Sequence, residues 1–280
     1  MNDEPVIYIV ATPIGNIEDI TLRAIKILKN ADLVAAEDTR KTGRLLSELE
    51  IKSKMTSFHD HNENEKADYL IDQALLGKVV AVVSDAGTPL VSDPGFRLVE
   101  RASKKGVRLV PVPGASALTA LVSVAGLPTD RFAFFGFLPS RESSRNKILR
   151  DLEDCDYPVM FYESPRRILK TLNEIIAKTG DRDAVLGREL TKIHEEIIRG
   201  KLSEIFEVLS GRESVRGEIA FLVQGGKNTE NKDFDIYEVV SEELMKTKLR
   251  PKQTAEKIAI EYNLKKNDVY EIILKIKGKK

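Results

Sequence analysis

Val6-Ile7-Tyr8-Ile9-Val10 runs into Ala11-Thr12-Pro13-Ile14-Gly15-Asn16, and Val79-Val80-Ala81-Val82-Val83 runs into Ser84-Asp85-Ala86-Gly87-Thr88-Pro89. Each is an apolar strand pattern that breaks into a loop marked by glycine and proline. Both loops fall at the carboxyl ends of predicted parallel strands. Open α/β sheets bind ligands along that edge, because backbone groups leaving the sheet can point into a crevice without breaking a ladder. A small-molecule site is therefore expected there.

The two loops are not phosphate cradles. A Walker loop needs a lysine beside its glycines, and a dinucleotide fingerprint needs three glycines opening a helix; neither loop has these. The second loop and its continuation instead offer Asp85 and Asp93 with Gly87 between them. Carboxylates repel phosphate and suit ribose hydroxyls or a cationic ligand. S-adenosylmethionine presents both, in its ribose and its sulfonium. Asp93 itself is read as the cap of a helix from Gly95 to Lys105, with Pro94 in the first helical position.

Working outward, strands are expected at Ile7 to Val10, Leu33 to Ala36, Met55 to Phe58, Val79 to Ser84 and Arg108 to Val112. Between them Leu22, Ile25 and Leu28 form one helical stripe, and Ala67, Leu70, Ile71 and Ala74 another. This alternation argues for a parallel sheet. Gly106 and Gly126 follow apparent helices and fit left-handed caps. Gly126-Leu127-Pro128 marks a boundary ahead of an aromatic run from Phe132 to Phe137. The phenylalanines read as core or dimer contacts, filling a strand hidden from water on both faces. Helices then follow at Ser143 to Leu152, Pro165 to Lys178 and Leu202 to Leu209. Further strands are expected at Pro158 to Tyr162, Ala184 to Arg188 and Glu218 to Val223. The expected division is 1–126, 127–226 and, after a polar link from Lys227 to Lys232, a helical segment 233–280.

In that last segment Ala255, Ile258 and Ala259 share one helical face, Tyr262-Asn263-Leu264 turns the chain, and Val269, Ile272, Ile273 and Ile276 begin a second stripe. The pattern fits a helix-turn-helix as well as it fits a small helical bundle with a solvated lysine face. The chain holds 44 basic and 44 acidic residues, so a role on nucleic acid must rest on local patches. Lys246 to Lys280 is such a patch, with 11 Lys and Arg against 4 Asp and Glu. Its excess suits a nucleic-acid backbone.

Length and composition narrow the class further. The 280 residues suffice for two domains, each with a core. The single cysteine, Cys155, excludes an intrachain disulfide, and Asp154 and Asp156 beside it offer no cation to activate the thiol. Three histidines, at 59, 61 and 194, match no structural zinc pattern, and His59-Asp60-His61 reads as a polar loop. No metal is expected. The start, Met1-Asn2-Asp3-Glu4, shows no basic-then-apolar leader, and no apolar run approaches the ~20 residues of a membrane span. A cytoplasmic protein without a membrane partner is expected.

Six ordered motifs carry a resemblance. They are Thr12-Pro13-Ile14-Gly15-Asn16; Ala36-Glu37-Asp38-Thr39-Arg40; Ser84 to Pro89 with Ser92-Asp93-Pro94-Gly95; Val112-Pro113-Gly114-Ala115-Ser116-Ala117; Tyr162-Glu163-Ser164-Pro165-Arg166; and Arg188-Glu189-Leu190-Thr191-Lys192. From about Val6 to Gly225 the chain resembles the tetrapyrrole methylase superfamily, and within it the enzymes that methylate small-subunit ribosomal RNA. The resemblance implies a two-domain α/β fold with a parallel sheet in the first domain and a mixed sheet in the second, followed here by the small helical C-terminal segment. It implies a homodimer that uses S-adenosyl-L-methionine to methylate a cytidine ribose 2′-hydroxyl in small-subunit ribosomal RNA, in the assembled 30S subunit. It also implies that the cofactor lies between the domains against Pro13, Gly15 and Asn16, against Ser84, Asp85, Ala86, Gly87 and Pro89, and against Ala115 and Ser116. Phe161 and Tyr162 are candidate walls for adenine on the resemblance alone.

Methyl transfer from a sulfonium is an in-line displacement, so holding the reactants in line can supply ~7–11 kcal/mol of the barrier reduction. A ribose hydroxyl is a weak acid, and a base or a cation near the developing alkoxide helps. Asp38 and Arg40, at the end of the second strand, and Glu189 and Lys192, at the end of a second-domain strand, are the candidate catalytic groups. Each pair also reads as an ordinary surface ion pair, and the base is not identified. A methylase of tetrapyrrole carbon atoms shares the cofactor loops but gains nothing from a basic tail. A non-catalytic ribosome-binding factor is the third reading.

Overall fold

The structure is a computed structural model that describes residues 4–226, 236–247, 249–262 and 266–278. The first sheet holds β1 (Val6–Val10), β2 (Leu33–Ala36), β3 (Met55–Ser57), β4 (Val80–Val83) and β5 (Arg108–Val112), in the order β3-β2-β4-β1-β5. Every pairing in it is parallel. Helices α1 (Leu22–Asn30), α2 (Thr39–Glu48), α3 (Glu63–Leu75), α4 (Phe96–Lys104) and α5 (Ala117–Val124) connect and follow these strands. β2 and β4 are buried along their whole length, which is why they read as unbroken apolar runs. Alternate residues feed two cores: Leu33, Ala35, Val80 and Val82 meet α3 and α4, while Val34, Ala36, Ala81 and Val83 meet α1 and α2.

This strand order places the ends of β1, β4 and β2 side by side. The chain continues the β1–β4 neighbourhood beyond the sheet as an isolated antiparallel bridge between Thr12 and Gly87, with N···O distances of 2.9 and 3.0 Å. The two loops flagged by their glycines and prolines are thus one hydrogen-bonded unit.

The second sheet contains β6 (Ala133–Phe137), β7 (Val159–Glu163), β8 (Asp183–Arg188), β9 (Glu196–Lys201) and β10 (Ile219–Val223), in the order β6-β7-β10-β8-β9. β6 runs parallel to β7; the other pairs are antiparallel, so the sheet is mixed. Helices α6 (Glu142–Glu153), α7 (Ile168–Thr179) and α8 (Leu202–Ser210) cover one face around Phe161, Leu186 and Phe221. The opposite face carries Met160, Val185, Ala220 and Leu222, which pack with Ile14 of the first loop and with Leu121 and Ala125 at α5. A shared apolar layer therefore ties the second sheet to the first loop.

Several expectations change. The aromatic strand is not hidden on both faces: its register on β7 shifts between Phe134 and Gly136, Gly136 has φ 63°, and Phe137 emerges 53% exposed. The bulge re-aims the side chain. Nor does Asp93 cap α4. The N-cap is Gly95, with no cap bond from a side chain at that position, and Glu63 Oε1 instead accepts the N–H groups of Gly95 (3.0 Å) and Arg97 (2.9 Å). A carboxylate from α3 thus neutralises the helix N-terminus. Gly106 (φ 71°) and Gly126 (φ 72°) do adopt the left-handed conformation.

The described chain forms two compact units, 1–226 and 227–280. The second contains α9 (Ile236–Lys246), α10 (Pro251–Glu261) and α11 (Lys266–Gly278), around its own core of Val240, Ala255, Ile258, Ala259, Val269 and Ile273. The polar link at 227–232 and the turn residues Asn263 and Leu264 lie outside the described residues. Among the described residues no helix is long and apolar enough to cross a membrane.

Candidate active site

A cleft of about 470 Å³ opens at the carboxyl edge of the first sheet and is closed on its other side by the second sheet. Its volume falls in the usual range of ~300–1,000 Å³ for small-molecule sites. The first sheet contributes Glu37 and Lys41 after β2, Asp85 to Thr88 after β4, Asp93, and Ser116 with Ala117 at the start of α5. Ile14 and Leu190 supply apolar surface, while Phe137, Tyr162, Glu163 and the segment from Glu218 to Ala220 come from the second sheet.

Asp85 organises the first wall. Its Oδ1 accepts the N–H of Asp38 at 2.9 Å and its Oδ2 holds Lys41 Nζ at 2.7 Å. The Asp85 N–H in turn donates to Glu37 Oε2 at 3.3 Å. The end of β2 and the end of β4 are stitched together by these bonds. Burial pushes the Glu37 carboxyl upward from its ordinary value, with Asp85 and Asp60 adding to it and the Asp85 N–H and Lys41 opposing it. The Lys41 ammonium is held more firmly protonated by its contact with Asp85.

The left-handed Gly87 (φ 80°) sits where a β-carbon would fall 3.2 Å from Ile14 Cγ2. Its neighbour Thr88 donates to the Ala115 carbonyl at 3.1 Å, tying the second loop to the turn before α5. Ser84 is buried, and its hydroxyl lies 3.3 Å from the Ala86 carbonyl oxygen. Pro89 is buried beside the cleft rather than lining it.

Of the adenine walls, Tyr162 lines the cleft, edge-on to Phe134 and Phe137 at ring distances of 4.9 and 5.7 Å. Burial raises its phenol, opposed by contacts with Ser116 and the backbone at Leu118. Phe161 is a correction. It is 0% exposed, stacks on Phe221 at 5.1 Å and faces the α6–α8 core, because adjacent strand residues point to opposite faces. It cannot be a wall of this cleft.

The first-loop residues act at one remove. Ile14 reaches the cleft, whereas Pro13, Gly15 and Asn16 are not among its lining. A β-carbon on Gly15 would run into Lys192 and lie 2.9 Å from Thr191 Oγ1, so this glycine permits the 189–192 turn to close over the loop. The Asn16 N–H donates to Thr191 Oγ1 at 3.1 Å, and its side chain caps the turn at Glu18.

The candidate catalytic pairs separate. Asp38 caps α2 and binds Arg40 through both carboxylate oxygens, at 3.0 and 2.7 Å, which holds the Asp38 carboxyl well below its usual range. The Arg40 side chain is 85% exposed and is not part of the cleft lining. Its neighbour Lys41 is the cation that lines the cleft. Glu189 and Lys192 pair at 2.9 Å, and Lys192 also reaches Glu218 at 3.0 Å. Burial pulls the Lys192 ammonium downward, but the two carboxylates outweigh it. Glu189 (φ 53°) and Thr191 (φ 66°) both occupy the left-handed region, so this turn is strained and pinned by its hydrogen bonds. Of the turn, Leu190 presents itself to the cleft.

Sequence reasoning did not place Lys41, Asp93 or Glu218 in the site. Lys41 adjoins the flagged Arg40, Glu218 opens a predicted strand, and Asp93 was in view but read as a cap. Among the described residues no group of His, Cys, Asp and Glu is arranged to hold a metal ion.

The sequence profile described as Tetrapyrrole (Corrin/Porphyrin) Methylases matches residues 6–205. A protein of Halalkalibacterium halodurans named ribosomal RNA small subunit methyltransferase I is 39% identical over 277 residues, covering 97% of this chain and 95% of its own. One of the same name from Thermotoga maritima is 44% identical over 219 residues, 78% of this chain and 98% of its own. Among solved structures, a diphthine synthase aligns with a TM-score of 0.61 at 18% identity, over 78% of this chain and 90% of that one, which supports the fold alone.

Proposed function

The chain belongs to the tetrapyrrole methylase family, and we propose that it transfers the methyl group of S-adenosylmethionine to the 2′-hydroxyl of a cytidine in small-subunit ribosomal RNA. The observation that carries the RNA substrate is the 39% identity, over 97% of this chain, to a protein named ribosomal RNA small subunit methyltransferase I. The cleft adds a physical argument. Its lining presents the carboxylates of Glu37, Asp85, Asp93 and Glu218; Lys41 pairs with Asp85 and Lys192 with Glu218, which leaves Glu37 and Asp93 without an ion-pair partner among the described residues. A tetrapyrrole bearing many carboxylates would meet repulsion there, whereas a ribose brings hydroxyl donors that carboxylates accept.

The lining also fits the methyl donor. Asp85, held between Lys41 and the Asp38 N–H, and the other acids suit a sulfonium and ribose hydroxyls. Tyr162, Ile14 and Ala117 offer flat and apolar surface for adenine. The donor supplies a methyl carbon already bound to a good leaving group. The chain's own work is to hold the ribose in line, exclude water and accept a proton.

In this reading residues 1–126 carry the cofactor loops, 127–226 complete the cleft, and 233–280 form a basic helical module that engages the RNA backbone. The Thermotoga relative spans 98% of its own length over only 219 matched residues, close to the length of the 1–226 unit, in keeping with a separable module. RNA phosphates stay outside the acidic cleft, near the exposed Arg40. The enzyme acts in the cytoplasm as a homodimer on the assembled small subunit.

The test uses purified protein, labelled S-adenosylmethionine and small subunits lacking the modification. Nuclease digestion should release labelled 2′-O-methylcytidine. Label on a base, or on a tetrapyrrole offered in competition, would overturn the assignment.

A further inference from the structure

Five acidic residues border the cleft and four are committed, the Glu163 side chain being 0% exposed and turned toward α7. Asp85 is bound by Lys41 and the Asp38 N–H, and Glu37 accepts the Asp85 N–H. Glu163 accepts from Ser164 N–H and Thr171 Oγ1 and pairs with Arg167, while Glu218 pairs with Lys192. Asp93 has neither a cation nor a backbone N–H among the described residues; its one hydrogen-bonding neighbour is the Ser84 hydroxyl.

The backbone around Asp93 is forced. Leu90 (φ 70°) and Ser92 (φ 69°) both sit in the left-handed region, which costs an ordinary L-residue ~1–2 kcal/mol. Gly95 (φ 136°) packs under Leu90, and Glu63 clamps the end of the loop through the N–H groups of Gly95 and Arg97. Strain that the surroundings hold in place clusters at working sites. Here it delivers one unpaired carboxylate into the cleft.

We propose that Asp93 is the catalytic base of the methyl transfer, taking the proton of the attacking ribose hydroxyl; this rests on the RNA reading above. As the hydroxyl oxygen forms its bond to the methyl carbon, the carbon–sulfur bond breaks and its electron pair stays on sulfur, neutralising the sulfonium. The hydroxyl proton passes to the Asp93 carboxylate and afterwards to water. Asp85 is the wrong group for this task, since Lys41 and the Asp38 N–H draw on both its oxygens. It is suited instead to staying ionised beside a cation.

The groups facing Asp93 agree with the assignment. Burial raises its carboxyl to about 6, the Ser84 hydroxyl opposes this, and Glu37, Asp85 and Asp60 add repulsion from the β2, β4 and β3 ends. Tyr162 faces it from β7, and Lys41 is held on Asp85. A base with this proton affinity is ionised at neutral pH yet still basic, the condition that general-base catalysis favours.

Three measurements on the full chain test this. In cofactor-free protein, carboxyl-carbon NMR should show a resonance titrating near pH 6 that disappears in Asp93→Asn. Calorimetry should give Asp93→Asn a cofactor affinity within about threefold of wild type. Single-turnover transfer to small subunits should rise with pH to a plateau in wild type, fall about 100-fold or more in Asp93→Asn and lose the plateau. Ser84→Ala should move both the titration and the plateau midpoint to higher pH together, which a merely structural role would not do.

Near-normal transfer in Asp93→Asn overturns the proposal. So does a large loss of cofactor affinity with normal saturating turnover, which would make Asp93 a sulfonium or ribose contact. Absence of any wild-type transfer, with the titration and cofactor binding intact, would instead sink the RNA reading.

Discussion

Replacing Asp93 with Asn should stabilise the protein, and only above about pH 4. Burial holds this carboxyl at about 6 against an ordinary value of 3.8, so the folded protein binds the proton more tightly than the unfolded chain does. Stability of the wild type therefore falls as pH rises from about 4 to about 6 and stays at the lower level beyond. At about 1.4 kcal/mol for each pH unit, the gap sets a ceiling of about 3 kcal/mol. Asp93 is only half-buried, and screening by the solvent that reaches it brings the expected gain to ~1–2 kcal/mol. Asn keeps an acceptor for the Ser84 hydroxyl and does not titrate. Urea unfolding of both proteins, followed by circular dichroism, should show a stability difference near zero at pH 3.5 that grows to favour Asn by pH 8. Equal differences at both pH values, or a less stable Asn protein at pH 8, would refute the reasoning that burial without a cation sets this group. The same variant should lose catalysis, so stability and activity move in opposite directions.

Further perturbations address other parts of the site. Asp85→Ala strips Lys41 and the Asp38 N–H of their acceptor, and should weaken cofactor binding at least tenfold by calorimetry while leaving far-ultraviolet circular dichroism unchanged. Gly87→Val meets both the left-handed φ of 80° and Ile14 Cγ2, and should weaken binding by as much or more. Arg40→Ala should cut transfer to RNA about tenfold with cofactor affinity intact, and Arg40→Lys should restore only part of it, because an ammonium cannot make the two-pronged guanidinium contact; normal turnover in Arg40→Ala would leave this residue as nothing more than the partner of Asp38. Chains ending at Gly226 should keep cofactor affinity but bind RNA more weakly, with a shallower slope of log affinity against log salt, since fewer counterions are released.

The strands of the first sheet could be read directly because burial on both faces leaves β2 and β4 uninterrupted apolar runs. β9 escaped notice for the opposite reason. It is an edge strand, Glu196 to Lys201, whose charged and glycine positions hide its pairing with β8. The site was legible as a set of strand ends, but not in which side chain each end presents. At the end of β2 the decisive fact is that α2 begins at Thr39 with Asp38 as its cap. Successive helical residues then differ by about 100°, so Lys41 turns to Asp85 while Arg40 folds back on the cap. A one-residue choice of this kind follows from cap geometry, which composition does not encode.

Asp93 shows the same limit with a larger consequence. Asp-Pro ahead of a helix is a good cap by local rules, and the local reading assigned it that duty. The duty is in fact performed by Glu63, more than thirty residues earlier, whose carboxylate takes the first N–H groups of α4. Because a distant acid satisfies the helix, Asp93 is left free of it, and the left-handed residues on either side of Val91 aim it at the cleft instead. A long-range substitution of one carboxylate for another thus converts an apparent cap into an unpaired acid. The chemistry assigned to Asp93 depends on that exchange: with Glu63→Gln the cap weakens, Asp93 gains a competing partner in the exposed N–H groups, and its basicity should fall.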